Sequence, residues 1–278
     1  MDTLTTDYND PLFNEEFVKS LHHTGFAVIK NHPISSTLIN KVYSDWDLFF
    51  KSDEKHKYIF DYEKQDGYFP FRSENAYNKE EKDLKEFFHI YPSWGRYPNF
   101  ISKESLILFK ELADLGNQLL SSIEKFSPIK IKQKYSQPLN KMAHNSPQNL
   151  MRVIHYPPIR PSDNPDAIRA GAHTDINLIT VLVSGSQPGL QVKNKKGKWV
   201  NIESKKGEIV INNGDMLQEA SSGYFPSTIH RVINPKRTNN LSRYSIPLFL
   251  HPRPEVILSE RYTADSYLLE RLKEIGLK

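Results

Sequence analysis

No cysteine occurs among the 278 residues of the chain. Disulfides, thiolate metal sites and a cysteine nucleophile are excluded together, and any metal must be held by nitrogen and oxygen donors. An apolar run long enough to span a bilayer is also missing, so no membrane partner is expected. The opening MDTLTTDYNDPLF is acidic and lacks the basic flank and apolar stretch of a secretory signal, which leads us to expect a cytoplasmic protein. Strong charge bias is absent too, the formal net charge being +4. The densest basic cluster, KNKKGK at 193–198, is broken by Asn and Gly and carries no interleaved aromatic residue. It reads as a solvated hairpin turn, and no nucleic-acid partner is expected. Repeats and low-complexity linkers are lacking, so residues 1–278 are expected to form one unit.

What is present is ordinary for a globular chain, with 38% hydrophobic and 25% charged residues. The first 130 residues are mostly helical in pattern. Leu12, Phe13, Phe17 and Leu21 share one helical face, as do Leu38, Ile39, Val42, Trp46, Phe49 and Phe50 behind the capping candidates Ser35 and Ser36. Leu106, Phe109, Leu112, Leu119 and Ile123 mark a longer helix ending near Phe126, ahead of Pro128. FAVIK at 26–30 interrupts this region as a short buried strand. From about residue 150 the period shortens, with LMRVIHY, NLITVLV, GLQVKN, KWVNI, GEIVIN, STIHRVI and RYSIPLFL separated by Gly, Pro, Asn and Asp. Short strands at this spacing indicate a sandwich or jelly roll. ADSYLLERLKEIG closes the chain as a helical segment within 253–278.

At the mouth of one strand-like run stand His173 and Asp175. In extended chain, residues i and i+2 face the same way, so the two can offer a nitrogen and an oxygen to one point. His230, in the β-branched STIHRVIN, is the natural third donor. Two histidines and one carboxylate on one face of an octahedron leave positions open, the arrangement of non-haem Fe(II) oxygenases. Taken alone, the triplet also admits a structural reading, with His173 at a strand end, Asp175 closing a local turn and His230 satisfied in the core. Thirteen residues after His230, Arg243 and Ser245 share one face of the next strand. An arginine with a hydroxyl at i+2 suits a carboxylate ligand, which would also supply the charge a buried guanidinium needs.

Four ordered stretches carry a resemblance: AHTDINLITVL, GLQVKNKKGKWVNI, INNGDMLQEASSGYFPSTIHRVINP and RYSIPLFLHP. Together they resemble the catalytic core of the isopenicillin N synthase-like Fe(II)/2-oxoglutarate-dependent dioxygenases. Upstream, LHHTGFAVIKNHPI resembles the group's N-terminal helix and strand, and DLKEFFHIYP its Asp-X-Lys-Glu-X-Phe segment. The resemblance implies a mainly β fold with flanking helices, a double-stranded β-helix (jelly roll) at 148–252 wrapped by the N-terminal helices. It implies that His173, Asp175 and His230 bind Fe(II), that Arg243 and Ser245 grip the distal carboxylate of 2-oxoglutarate, and that Tyr156 adds a hydrogen bond to it. With O2, the expected activity is oxidation of a small-molecule substrate by hydroxylation, desaturation or cyclisation. Arg152, on the face of Tyr156, is a candidate substrate anchor beside the alternative of a surface ion pair. Tyr68, Phe69, Phe71 and Arg72 read as core packing or part of a lid, and His89, His144 and His155 as structural. Two departures from the family pattern stand out: His32-Pro33 replaces the usual His-Gly, and the opening Ile-Pro-X-Ile-Asp is absent. Rival readings are a 2-oxoglutarate-independent iron oxidase, a non-catalytic jelly-roll binding module, and occupation by another divalent metal. Nothing in the sequence fixes the oligomeric state.

Overall fold

The computed structural model describes residues 3–74 and 81–274. Its first half comprises β1 (Thr5–Asp7), α1 (Phe13–Thr24), β2 (Phe26–Lys30), α2 (Ser36–Lys51), β3 (Gly67–Phe69), β4 (Glu86–Ile90) and α3 (Glu104–Phe126). Two short helices, α4 (Ile129–Lys132) and α5 (Leu139–Ala143), lead into β5 (Leu150–Tyr156), β6 (Ala170–His173), β7 (Ile179–Val183), β8 (Leu190–Lys193) and β9 (Trp199–Asn201). Then come β10 (Ile209–Asn213), α6 (Asp215–Ala220), β11 (His230–Val232), β12 (Arg243–Leu250) and α7 (Ala264–Glu274). Helix ends follow local chemistry. Ser35 accepts the Leu38 N–H at the start of α2, and α1 ends at Gly25 with φ 77°, a left-handed position suited to glycine.

The described residues form two sheets, one of eight strands in the order β1-β2-β10-β7-β12-β5-β4-β3 and one of four in the order β6-β11-β8-β9. The N-terminal region is thus more than a helical wrapping, because β1 and β2 build one edge of the large sheet and β3 and β4 the other. Strand alternation gives that sheet two different faces. Ala27, Ile29, Val153, Val181, Ile211, Ile246 and Leu248 pack with the helices in one core. Their immediate neighbours Phe26, Val28, Ile154, Leu182 and Val210 point the other way and meet Leu190, Val192 and Val232 of the small sheet in a second core. The helical core is aromatic. Trp46 is fully buried against Phe49, Phe50 and Phe88, and its indole N–H donates to Ser105 at 2.8 Å, so no polar group is stranded.

On the face turned toward the small sheet, the apolar residues give way to Thr180 on β7, Asn212 on β10, Arg243 and Ser245 on β12, Arg152 on β5 and His89 on β4. Polar groups collected between two sheets are costly unless bonded or liganded, and their partners identify the site. The basic cluster forms the β8–β9 turn, with Asn194 accepting from the Lys196 and Lys198 N–H groups. Among the described residues no helix is long and apolar enough to cross a membrane.

Candidate metal centre

β6 and β11 pair antiparallel with His173 directly opposite His230, which brings the two imidazoles to 4.3 Å between ring centres. Asp175 lies beyond the end of β6, where the chain turns before β7. That turn is fastened by the start of α6: the Asp215 N–H donates to the Asp175 carbonyl at 2.7 Å and the Gly214 N–H to the Leu178 carbonyl at 2.8 Å. A side chain at Gly214 would bring its Cβ to 2.0 Å from the Asn177 carbonyl oxygen, so only glycine permits this approach.

One carboxylate oxygen of Asp175 is committed to the protein. Oδ2 accepts from Thr180 Oγ1 at 2.6 Å and from Asn212 Nδ2 at 2.8 Å. Oδ1 faces His173 Nε2 at 3.8 Å and His230 Nε2 at 3.7 Å. The Nδ1 atoms of the two histidines lie 2.7 Å from the Gly171 carbonyl and 3.1 Å from the Thr228 carbonyl. A carbonyl can only accept, so each Nδ1 carries the proton and each Nε2 keeps its lone pair turned toward Asp175.

The three donor atoms all lie within 4.8 Å of one another. Cis donors on one ion at bond lengths of about 2.1 Å sit about 3 Å apart, so inward shifts of roughly 1 Å suffice for a shared cation. Electrostatics agree. Burial, then the neighbouring His230, pushes His173 down to about 4, leaving it neutral near pH 7. Burial acts to raise Asp175, but His230, His173 and the two hydrogen bonds outweigh it and hold the carboxyl below its ordinary range. A carboxylate between two imidazole nitrogens is a donor set suited to a hard-to-borderline divalent ion.

On the neighbouring strand Arg243 is 3% exposed, and no carboxylate of the described residues pairs with it. Its Nε donates to the Gln187 carbonyl at 2.9 Å, while Nη1 has no partner among the described residues. The guanidinium fits against Gly185, where an added Cβ would stand 2.5 Å from Nη2. Ser245 is buried two residues on, and Tyr156 lies across the ladder from Arg243, its ring 5.1 Å from the guanidinium carbon. An unpaired buried guanidinium with an orphaned N–H fits a ligand carboxylate.

Arg152 is not a surface ion pair. It stacks on Phe87 at 4.2 Å, donates from Nε to His89 Nε2 at 2.8 Å and pairs with Glu74 at 3.2 Å. His89 can accept because its Nδ1 is turned to the Gln65 carbonyl at 2.7 Å, and burial, with Arg152 beside it, pushes its pKa well below the ordinary value. Lys85 joins the group through Glu74 at 2.7 Å and Asp83 at 2.8 Å. Asp83 in turn accepts the Gly171 N–H at 2.9 Å, two residues from His173, so the charged network abuts the triad. Of the remaining sequence candidates, Tyr68 and Phe69 are buried, Phe71 is half-buried, and Arg72 is exposed and paired with Asp163 at 2.9 Å. His155 bonds Glu86 at 2.7 Å, and His144 is exposed.

Sequence reasoning missed Thr180, Asn212 and Gly185, and marked Asp83 and Lys85 only as part of the DLKEFFHIYP segment, with no role in the site. For the first two a signal exists: each is a polar residue on the inward face of a strand whose other inward position is apolar, Leu182 on β7 and Val210 on β10. Lys85 and Asp83 acquire their setting through partners distant in the chain, which no local pattern encodes.

Comparison with known proteins matches this arrangement. A family model of the 2OG-Fe(II) oxygenase superfamily matches residues 147–252, and one of the N-terminal region of a non-haem dioxygenase in morphine synthesis matches residues 2–104. A solved protein of Shewanella oneidensis, described as an oxygenase, is 50% identical over 100% of both chains with a TM-score of 0.91. A Caulobacter crescentus protein described as a member of the 2OG-Fe(II) oxygenase family is 28% identical over 98% of each chain, with a TM-score of 0.81. The 2-oxoglutarate-dependent dioxygenase citB of Monascus ruber is 37% identical over 108 residues, 38% of this chain and 32% of that one. The match thus spans about a third of the length of that curated relative. The jelly-roll fold, the His-Asp-His cluster and the matches over both halves place the chain in one group: it belongs to the 2OG-Fe(II) oxygenase superfamily, among the isopenicillin N synthase-like dioxygenases.

Proposed function

We propose that the chain is a single catalytic unit, a non-haem iron oxygenase that couples oxidative decarboxylation of 2-oxoglutarate to oxidation of a small organic metabolite. His173, Asp175 and His230 hold Fe(II), and Arg243 with Ser245 holds the distal carboxylate of 2-oxoglutarate, beside Tyr156. Bound Fe(II) and 2-oxoglutarate supply the oxidation itself, O2 being consumed as the co-substrate becomes succinate and CO2. One observation carries the reading: both histidines and the aspartate have their outward atoms tied to the protein and their inward atoms facing one another, 3.7–3.8 Å apart from carboxylate to imidazole. A site maintained only for packing has no reason to leave three Lewis bases converging.

The chain's own work is positional. Thr180 and Asn212 fix the Asp175 rotamer, the Gly171 and Thr228 carbonyls fix both histidine tautomers, and Gly185 leaves room for the Arg243 fork. The wall formed by Lys85, Arg152, Glu74 and Asp83 bears two cations and two anions, with His89 neutral. We assign Arg152 to the substrate side of this wall. A charge-balanced wall suits a neutral or zwitterionic polar metabolite better than a strongly anionic one. The test is anaerobic reconstitution with Fe(II), then admission of O2 and a succinate assay across a metabolite library. Succinate formed with one substrate class and lost without 2-oxoglutarate is the expected result. Oxidation that proceeds without 2-oxoglutarate would overturn its assigned role.

A further inference from the structure

Arg169 is 0% exposed and belongs to the largest fully buried side chains of the molecule. Among the described residues only a neutral acceptor meets its guanidinium, the Leu241 carbonyl bonded by Nη2, and its Nε has no partner. Its backbone N–H is fixed by Asn234 Oδ1 at 3.1 Å, so the residue is anchored at both ends. The guanidinium carbon lies 6.0 Å from the centre of the Tyr156 ring, the same ring that Arg243 approaches to 5.1 Å. Leu241, which it bonds, stands two residues before Arg243. Burial, then the positive charge of Arg243, pushes Arg169 down to about 10, with Tyr156 acting the other way and no carboxylate offsetting them.

Two buried cations against one aromatic ring, both with an orphaned N–H and neither with a carboxylate partner among the described residues, repel each other and lack an anion. One anion between them satisfies both. Resting on the co-substrate assignment above, we propose that Arg169 and Arg243 form a two-guanidinium clamp on the distal carboxylate of 2-oxoglutarate, with Tyr156 as its floor. Arg243 and its hydroxyl partner Ser245 approach that carboxylate from β12, and Arg169 approaches from the chain entering β6. Arg169 is a binding residue in this scheme and takes no part in the oxidation.

The experiment is calorimetric titration of Mn(II)-loaded protein, wild type, Arg169→Gln and Arg169→Lys, with 2-oxoglutarate and separately with pyruvate. Pyruvate offers the metal the same 2-oxo-acid group and has no distal carboxylate. A charge-assisted contact to a carboxylate is worth about tenfold or more in affinity. Arg169→Gln should raise the 2-oxoglutarate Kd by about that factor, Arg169→Lys by less, and neither should change the pyruvate Kd. Equal weakening of both ligands, or an unchanged 2-oxoglutarate Kd, would overturn the clamp. If Arg169→Gln does not fold, Arg169→Lys decides by the same comparison. Wild-type protein that binds neither 2-oxo acid would instead mark failure of the co-substrate assignment itself.

Discussion

Gly185→Ala is the most economical way to disturb the co-substrate site without touching a binding residue. The new Cβ would stand 2.5 Å from Arg243 Nη2, 2.6 Å from Cζ and 2.9 Å from Nε. Ordinary contact needs about 3.5 Å, so the whole fork must retreat by roughly 1 Å. Gly185 has no positive φ, so the backbone itself accepts alanine. Within the protein the displaced fork strains one bond, from Nε to the Gln187 carbonyl, at a cost of about 1 kcal/mol. Its contact to a carboxylate is charge-assisted and worth about 1.5–3 kcal/mol, so the 2-oxoglutarate Kd should rise by about 10- to 150-fold. Titration calorimetry on Mn(II)-loaded protein reads the affinity, and thermal unfolding without ligand reads the stability. A small change in Tm with a large loss of 2-oxoglutarate affinity is expected. An affinity within twofold of wild type would refute the placement of the carboxylate on Arg243.

Further outcomes follow from the same geometry. Asn212→Leu removes one of the two donors that hold Asp175 Oδ2, and should weaken metal binding by about 10- to 100-fold while leaving the fold intact, as measured by competitive chelator titration. Burial acts to raise Glu86, but His155, Tyr68 and Lys55 outweigh it and hold its pKa below the ordinary range. Its contribution to stability is therefore complete above the unfolded value of about 4.3 and is lost as pH falls through the lower folded value. Glu86→Gln should accordingly be less stable at pH 7, and urea melts should show the difference shrinking in acid below about pH 4. Trp46→Ala empties a fully buried aromatic site and strands Ser105, which should cost about 3–5 kcal/mol by chemical denaturation.

Much of the fold is written in period. FAVIK and LMRVIHY alternate between two cores, RYSIPLFL alternates between one core and the polar face of Arg243 and Ser245, and the helical repeat of Leu38 to Phe50 builds the aromatic side of that core. β6 escaped notice because AGAH is short, small and without alternation, a strand only because β11 pairs with it and the Asp83 carboxylate takes the Gly171 N–H. β1 and β3 are three residues each, too short for any alternation to show. The triad was legible as residue types at a suggestive spacing, yet Asp175 reaches the site from a turn, not from the extended strand its spacing suggested. What makes that turn work, Gly214 against Asn177 and two donors on Oδ2, depends on contacts across strands. Arg169 could not be read at all. An arginine four residues before a histidine is unremarkable until burial shows that nothing neutralises it.

Anomalous diffraction from crystals grown with Mn(II) and 2-oxoglutarate would locate the metal and its co-substrate together. One metal peak per chain is expected, bonded at about 2.1 Å to Nε2 of His173, Nε2 of His230 and Oδ1 of Asp175, with the far carboxylate of 2-oxoglutarate on the Arg243 guanidinium. A peak on other residues, or a co-substrate bound away from Arg243, would contradict that expectation.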